Sequence, residues 1–316
     1  MDIKELGEFG LIEEIKKGIA LPEGVEGIGD DCAVIPQTTG KETLVSTDML
    51  MEGTHFLIDD ISPYLLGWKS AAVNISDIAA MGGRCVGSFL SFALPEGTQK
   101  EWLMEFFRGY KEISALFGCP LLGGDTTTSP DRLCINVTVL GEAGCGVSVK
   151  RSGAEVGDLI CVTGPLGDSA CGLAHILNGC VLDDGAKVLI DRHYKPMPRV
   201  SEGLGLAAAG VSAMMDISDG IGSDLRHILK ASGVGAEVDL AAIPLSDELK
   251  RKCALCGWEE MDYAVSGGED YELLFTASEE VERGLDVPHF VIGRIVEGEG
   301  IRWIGGEKDY MGFRHF

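Results

Sequence analysis

The sequence predicts a two-domain α/β protein, and three observations carry that expectation. A chain of 316 residues is long enough for two hydrophobic cores of ordinary size. Its first half alternates strand-like with helix-like segments. Between Gly141 and Gly157 the alternation is interrupted by a glycine-rich stretch, after which Leu159–Thr163 resumes as a strand. A domain boundary near residue 147 follows, with domains at 1–147 and 148–316.

In order, residues 6–17 read as a helix, and Thr43–Thr47 as a strand running into a Ser46-Thr47-Asp48 turn. Residues 63–81 have helical spacing, with Leu66, Ala71, Ala72, Ile75, Ile78 and Ala79 on one stripe and Asp77 off it. Residues 86–94 read as a strand, 98–117 as an amphipathic helix and 133–141 as another strand. In the second half, the turn Gly164–Ser169 leads into a helix through about Leu177, and Pro196 and Pro198 precede another. Met214–Ile217 is a short strand delivering Asp216, with Ser218 as N-cap and Asp219 in the first helical turn. Residues 236–240, 271–276 and 289–295 supply further strands.

Composition narrows the function. The net charge of −24 argues against nucleic acid or an anionic membrane as partner, because both attract basic surfaces. The N-terminal run MDIKELGEFGLIEEI lacks the pattern of a secretory signal, and every apolar stretch is broken short of a membrane span, so a cytoplasmic protein is expected. The 10 cysteines then read as reduced thiols. Cys253 and Cys256 have zinc-ligand spacing, but no second pair follows nearby, so no zinc is expected.

The chemistry lies in a series of acidic turns: Gly29-Asp30-Asp31, Ser46-Thr47-Asp48, Ser76-Asp77, Gly123-Gly124-Asp125-Thr126 and Asp216-Ile217-Ser218-Asp219-Gly220. Carboxylates repel a polyphosphate unless hard cations lie between them, and Mg²⁺ shares its oxygen shell with substrate phosphates. A metal-bridged phosphate site is the reading. Asp216 is assigned to metal, whereas Asp219 is open between ligand and helix cap. Glu269, in Ser266-Gly267-Gly268-Glu269-Asp270, projects into a site or sits in a hairpin turn; His55 is likewise open between function and structure. Arg151, at the domain junction, is read as a phosphate contact. No Walker A loop is present, Gly203–Ala208 lies inside a helix rather than after a strand, and the run from Asp216 lacks the closing acid of a calcium loop.

The ordered set GIGDDCAVI, STDMLMEGTHF, WKSAAVNISDIAAMGG, LLGGDTT, KRSGAEVGD, TGPLGDSACGL, DISDGIGSDL and SGGEDYELLFT resembles the thiamine-monophosphate kinase family over nearly the whole chain. The resemblance implies phosphoryl transfer from ATP to thiamine monophosphate, with several Mg²⁺ ions and ATP as co-substrate. It implies an N-terminal α/β domain with a mixed sheet that dimerises through its strands. A C-terminal α+β domain then completes the nucleotide and substrate site. Asp30, Ser46, Thr47, Asp48, Asp77, Asp125, Asp216 and Asp219 stand at metal positions, with Asp48, Asp77 and Asp125 acting in catalysis through Mg²⁺. Phe107, Gly124, Asp125, Arg151 and Ser218 stand at ATP positions, where Phe107 replaces a frequent Tyr near adenine. His55, Glu269 and Phe313 stand at substrate positions. The rivals are another ATP-dependent enzyme of the superfamily, similar to aminoimidazole ribonucleotide or selenophosphate synthetase, and a non-catalytic acidic metal-binding protein. Residues 1–29 hold no Cys of the selenide type, and the chain ends in Phe316 rather than the Cys of a hydrogenase-maturation protein.

Overall fold

Alternation of apolar and polar residues in the first half is realised as one sheet with two helices on a single face. A computed structural model describes residues 14–25, 35, 38–178, 183–306 and 308–312. Asp30, Asp31, Phe313 and most of the helix expected over 6–17 lie outside the described residues. The chain divides into two compact units, one of Met1–Ile78 with Arg84–Cys145 and one of Ala79–Gly83 with Gly146–Phe316.

The first unit holds β1 (Lys41–Met51), α1 (Pro63–Ala80), β2 (Arg84–Pro95), α2 (Lys100–Leu116), β3 (Leu121–Ser129) and β4 (Cys134–Gly144). The strands form a mixed sheet in the order β1-β4-β2-β3, with β2 and β3 parallel and the other pairs antiparallel. Since side chains alternate across a strand, register assigns each residue to a face. Leu50, Ile135 and Phe92 lie side by side on the covered face, where the Phe92 ring meets Phe106 of α2 edge-on at 4.8 Å. Ser88, on the same face, accepts a 2.8 Å hydrogen bond from Tyr110. The helices cross where each carries a glycine: a Cβ on Gly67 would sit 1.9 Å from the Phe106 carbonyl oxygen, and one on Gly109 equally close to that of Tyr64. Only hydrogen fits there. The opposite face is open, with Val45 63% and Met49 54% exposed.

Two expectations are corrected here. Ser46-Thr47-Asp48 and Gly123-Gly124-Asp125-Thr126 are not turns but lie inside β1 and β3. Their composition is that of loops, yet β1 pairs with β4 from Lys41 to Met51 without a break, and a continuous ladder outweighs weak local preference.

The second unit holds β5 (Leu159–Val162), α3 (Asp168–Leu177), α4 (Asp184–Tyr194), α5 (Val200–Ala209), β6 (Ala213–Asp216), α6 (Ile221–Ser232), β7 (Gly235–Asp239), α7 (Asp247–Cys256), α8 (Glu260–Ser266), β8 (Leu273–Ala277), α9 (Glu279–Arg283), β9 (Phe290–Val296) and β10 (Gly300–Ile304). Its six-stranded sheet runs β10-β7-β9-β5-β8-β6. The central strands are buried on both faces. Ile160, Val162, Met215 and Leu274 join one core with Leu225 and Ile228 of α6, while Cys161, Met214 and Phe275 join another with Leu206 of α5. The run LICV is uniformly apolar for that reason. Among the described residues, no helix is long and apolar enough to cross a membrane.

Candidate active site

In the first unit, β1 and α1 bring Ser46, Asp48, Asn74 and Asp77 together on the covered side of the sheet. The Ser46 hydroxyl donates to an Asp77 carboxylate oxygen at 2.5 Å. The Asn74 side-chain oxygen accepts from the Asp48 amide at 3.2 Å, tying strand to helix. Burial, and then the negative charge of Asp77, push Asp48 up to about 6. Two carboxylates are thus held close together at a cost to the charged state, in a donor set made of oxygen. That set fits a hard divalent cation, which would reverse both causes of the shift.

Two other expected members stand elsewhere. Thr47 faces away from Ser46 and Asp48, because adjacent strand residues point to opposite sides. Its hydroxyl donates to the Val137 carbonyl and accepts from Asn136 and Thr138. Asp125 lies in register with Ser91, Asn136 and Met49, on the open face. It is also three strand positions from Asp48, roughly 14 Å along the sheet. Within this unit, β3 and its parity place Asp125 on the face opposite Asp48 and Asp77.

His55 follows Gly53, whose φ is 81°, and its Nδ1 accepts from the Met51 amide at 2.9 Å. Phe107 is 3% exposed, with Phe92 and Phe106 edge-on at 5.9 and 5.6 Å. The structure makes it a core ring rather than an open platform for adenine. At Gly124 a Cβ would lie 1.8 Å from the Leu90 carbonyl oxygen, so β3 runs against β2 where only glycine fits.

The second unit builds its acidic group around β6 and the start of α6. Asp216 is buried at the end of β6, and Asp219 is half-buried in the following loop. The sequence places Ser218 as N-cap; the structure instead starts α6 at Ile221, with Gly220 in the cap position at φ 100°. The capping carboxylate comes from inside the helix. Asp224 accepts from the amides of both Ser218 and Asp219 at 3.1 Å. Burial, followed by the charges of Asp216 and Asp219, pushes Asp224 up to about 8. Sequence reasoning missed Asp224, although an acid in the first helical turn after Gly220 was the available signal.

Beside this loop runs the segment from Gly267 to Glu272. The Glu269 amide donates to the Ser218 carbonyl at 2.8 Å, and the Tyr271 amide to that of Ile217 at 2.9 Å. The preceding element is α8, so this segment is a helix-to-strand connection and not a hairpin turn. Beneath it, Glu272 accepts from Thr163 at 2.7 Å and forms a two-pronged ion pair with Arg199. Arg151 is exposed. Cys253 is buried on α7 beside Cys171 of α3, and burial pushes both thiols up, to about 11 and about 12. Among the described residues, no group of three or more His, Cys, Asp or Glu side chains is placed to hold a metal ion.

The fold and these acidic pairs define a class. Residues 29–143 match the AIR synthase related protein, N-terminal domain, and residues 155–305 the corresponding C-terminal domain. The chain is 38% identical over 318 residues to the thiamine-monophosphate kinase of Aquifex aeolicus, covering 100% of both chains. It is 40% identical to that of Salmonella typhimurium over 98% of each. The solved structure of AaThiL complexed with AMPPCP and TMP is similar over 100% of this chain and 99% of that one, with 38% identity and a TM-score of 0.83. The crystal structure of the Stenotrophomonas maltophilia kinase is also similar at a TM-score of 0.83, with 36% identity, over 96% of this chain and 98% of that one. The chain belongs to the thiamine-monophosphate kinase family.

Proposed function

We propose that this protein transfers the γ-phosphoryl group of ATP to thiamine monophosphate, giving thiamine diphosphate and ADP. The observation that carries the reading is the full-length likeness to a structure complexed with AMPPCP and TMP. The strained pair Asp48–Asp77 is the chemistry such a reaction requires. The accepting phosphate monoester has its second pKa near about 6, so it is already a nucleophilic anion and no general base is required. What remains is to orient two anions and neutralise their repulsion.

Asp48, Asp77 and Ser46 in the first unit, and Asp216 and Asp219 in the second, are the residues that would hold Mg²⁺. When bound, Mg²⁺ supplies charge neutralisation to the attacking and leaving oxygens. Thr47 offers metal only its backbone, since its hydroxyl is engaged on the other face. Asp30 and Phe313 complete the expected metal and substrate sets by resemblance. Arg151 is the phosphate contact, and His55 and Glu269 are substrate contacts. A homodimer belongs to this reading, because the open sheet face presents Val45 and Met49 to water.

The deciding experiment measures ADP release as a function of thiamine monophosphate at fixed ATP and Mg²⁺. Saturable, substrate-dependent ADP with matching thiamine diphosphate supports the proposal. No ADP above background, in a protein that still binds Mg²⁺, supports the non-catalytic reading instead.

A further inference from the structure

The Gly267–Glu272 segment is held in a conformation that L-residues adopt rarely. Glu269 and Tyr271 both have positive φ, at 63° and 52°, and neither is glycine. Such strain persists only where the surroundings over-determine it, and here two sets of hydrogen bonds and one close backbone approach do so. The amides of Glu269 and Tyr271 are tied to Ser218 and Ile217. A Cβ on Gly268 would lie 2.3 Å from the Ser218 carbonyl oxygen, so the two loops touch backbone to backbone. The intervening Asp270 turns the opposite way, accepting from the amides of Gly167 at 2.8 Å and Ser169 at 3.4 Å at the start of α3.

The Glu269 side chain is 28% exposed. Its Oε2 lies 3.2 Å from Nδ1 of His193, in the last turn of α4. His193 is 3% exposed; the same Nδ1 lies 3.0 Å from the Ser169 hydroxyl, and its ring packs on Tyr194 at 4.9 Å. A buried imidazole in a fixed orientation therefore grips one oxygen of a partly exposed carboxylate. Strained backbone, a locked second residue and a half-open carboxylate together describe a contact made ready for a ligand.

We propose that His193 is a positioning residue for the substrate, fixing the Glu269 carboxylate in the rotamer that meets thiamine monophosphate. This rests on the reading of Glu269 as a substrate contact. Thiamine offers an amino group and a cationic ring, both complementary to a carboxylate acceptor. His193 does not touch the reacting phosphates. Its loss therefore acts on substrate affinity and spares the nucleotide.

The test compares two side chains of similar size in the full-length enzyme. Asn at position 193 presents its amide near the place of Nδ1, whereas Gln presents it near Nε2. His193→Gln is expected to raise KM for thiamine monophosphate about tenfold, the effect of one charge-assisted hydrogen bond, and to leave KM for ATP unchanged. His193→Asn should restore KM to within about twofold. In a Glu269→Ala background, replacing His193 by Gln should add no further loss, because the two act as one unit. Equal KM values for the Asn and Gln variants overturn the positioning role, as does a full additional loss in the Glu269→Ala background. A wild-type enzyme without activity on thiamine monophosphate overturns the proposed function and this inference with it. An active wild type confines a negative result to His193.

Discussion

Replacing Asp48 by Asn should make the metal-free protein more stable while removing its activity. In the folded chain Asp48 is raised from its ordinary 3.8 to about 6, so folding disfavours its charged form. Below pH 3.8 both states are protonated and folding carries no penalty from this group. As pH rises from 3.8 through about 6, the unfolded chain loses its proton first and stability falls; above that the penalty is constant. At about 1.4 kcal/mol for each pH unit, the interval corresponds to about 3 kcal/mol, reduced to about 2 by solvent on the half-buried flank. Asn keeps the shape without the charge. In EDTA at pH 7.5 the variant should therefore melt about 4–8 °C above wild type, a gap that closes towards pH 4. Saturating Mg²⁺ should raise the wild-type melting temperature more than that of the variant, because only the wild type retains the full ligand pair. Differential scanning calorimetry across pH 4–8, with and without Mg²⁺, reads all of this. An Asn variant no more stable than wild type at pH 7.5, or one whose advantage is the same at pH 4, would refute the reasoning.

Three further outcomes are expected. Asp77→Asn should lower kcat by about 10²–10³-fold at saturating Mg²⁺, the scale of losing one electrostatic group at a charged transition state; near-wild-type turnover would contradict its role. Arg199→Met leaves the buried Glu272 with only Thr163 among its contacts described above, and should cost about 3 kcal/mol in urea unfolding, with an unchanged midpoint as the contrary result. Met49→Asp places a charge on the open sheet face and should shift the sedimentation coefficient of the proposed homodimer to that of a monomer; a dimer that persists in the variant would move the interface elsewhere.

Much of the fold is legible because pattern and pairing agree. The strands at 86–94 and 133–141 and the helix at 98–117 carry apolar periods that no local signal contradicts. β1 and β3 disagree with their own composition, since Ser, Thr, Gly and Asp there have the local preferences of turns while ladder bonds to β4 and β2 supply the strand. That Asp48 and Asp125 face apart follows from parity and strand order, and strand order is not written in local sequence. No helix is assigned to α4 from sequence, although Ala186, Leu189, Ile190 and Tyr194 have helical spacing and Asp183 as N-cap and His193 in the last turn are its start and stop signals. His193 went unnoticed with it. The pairing of His193 with Glu269, and of Asp224 with Ser218 and Asp219, is tertiary or loop geometry that spacing alone does not reveal.

The division of labour between the faces of β1 imposes an arithmetic on this strand. Ser46 and Asp48 share one side with Asp77, while Val45, Thr47 and Met49 share the other. Removing one residue between Lys41 and Val45 while keeping the turn-side pairing would not shorten the strand harmlessly. It would exchange the two rows, sending the carboxylate outward and the methionine beneath the helices. Even-numbered changes preserve the assignment and odd-numbered ones invert it, unless a bulge absorbs the extra step. The strand therefore tolerates substitution far more readily than any single insertion or deletion, and designs that graft this acid pair onto another sheet must copy its parity before its residues.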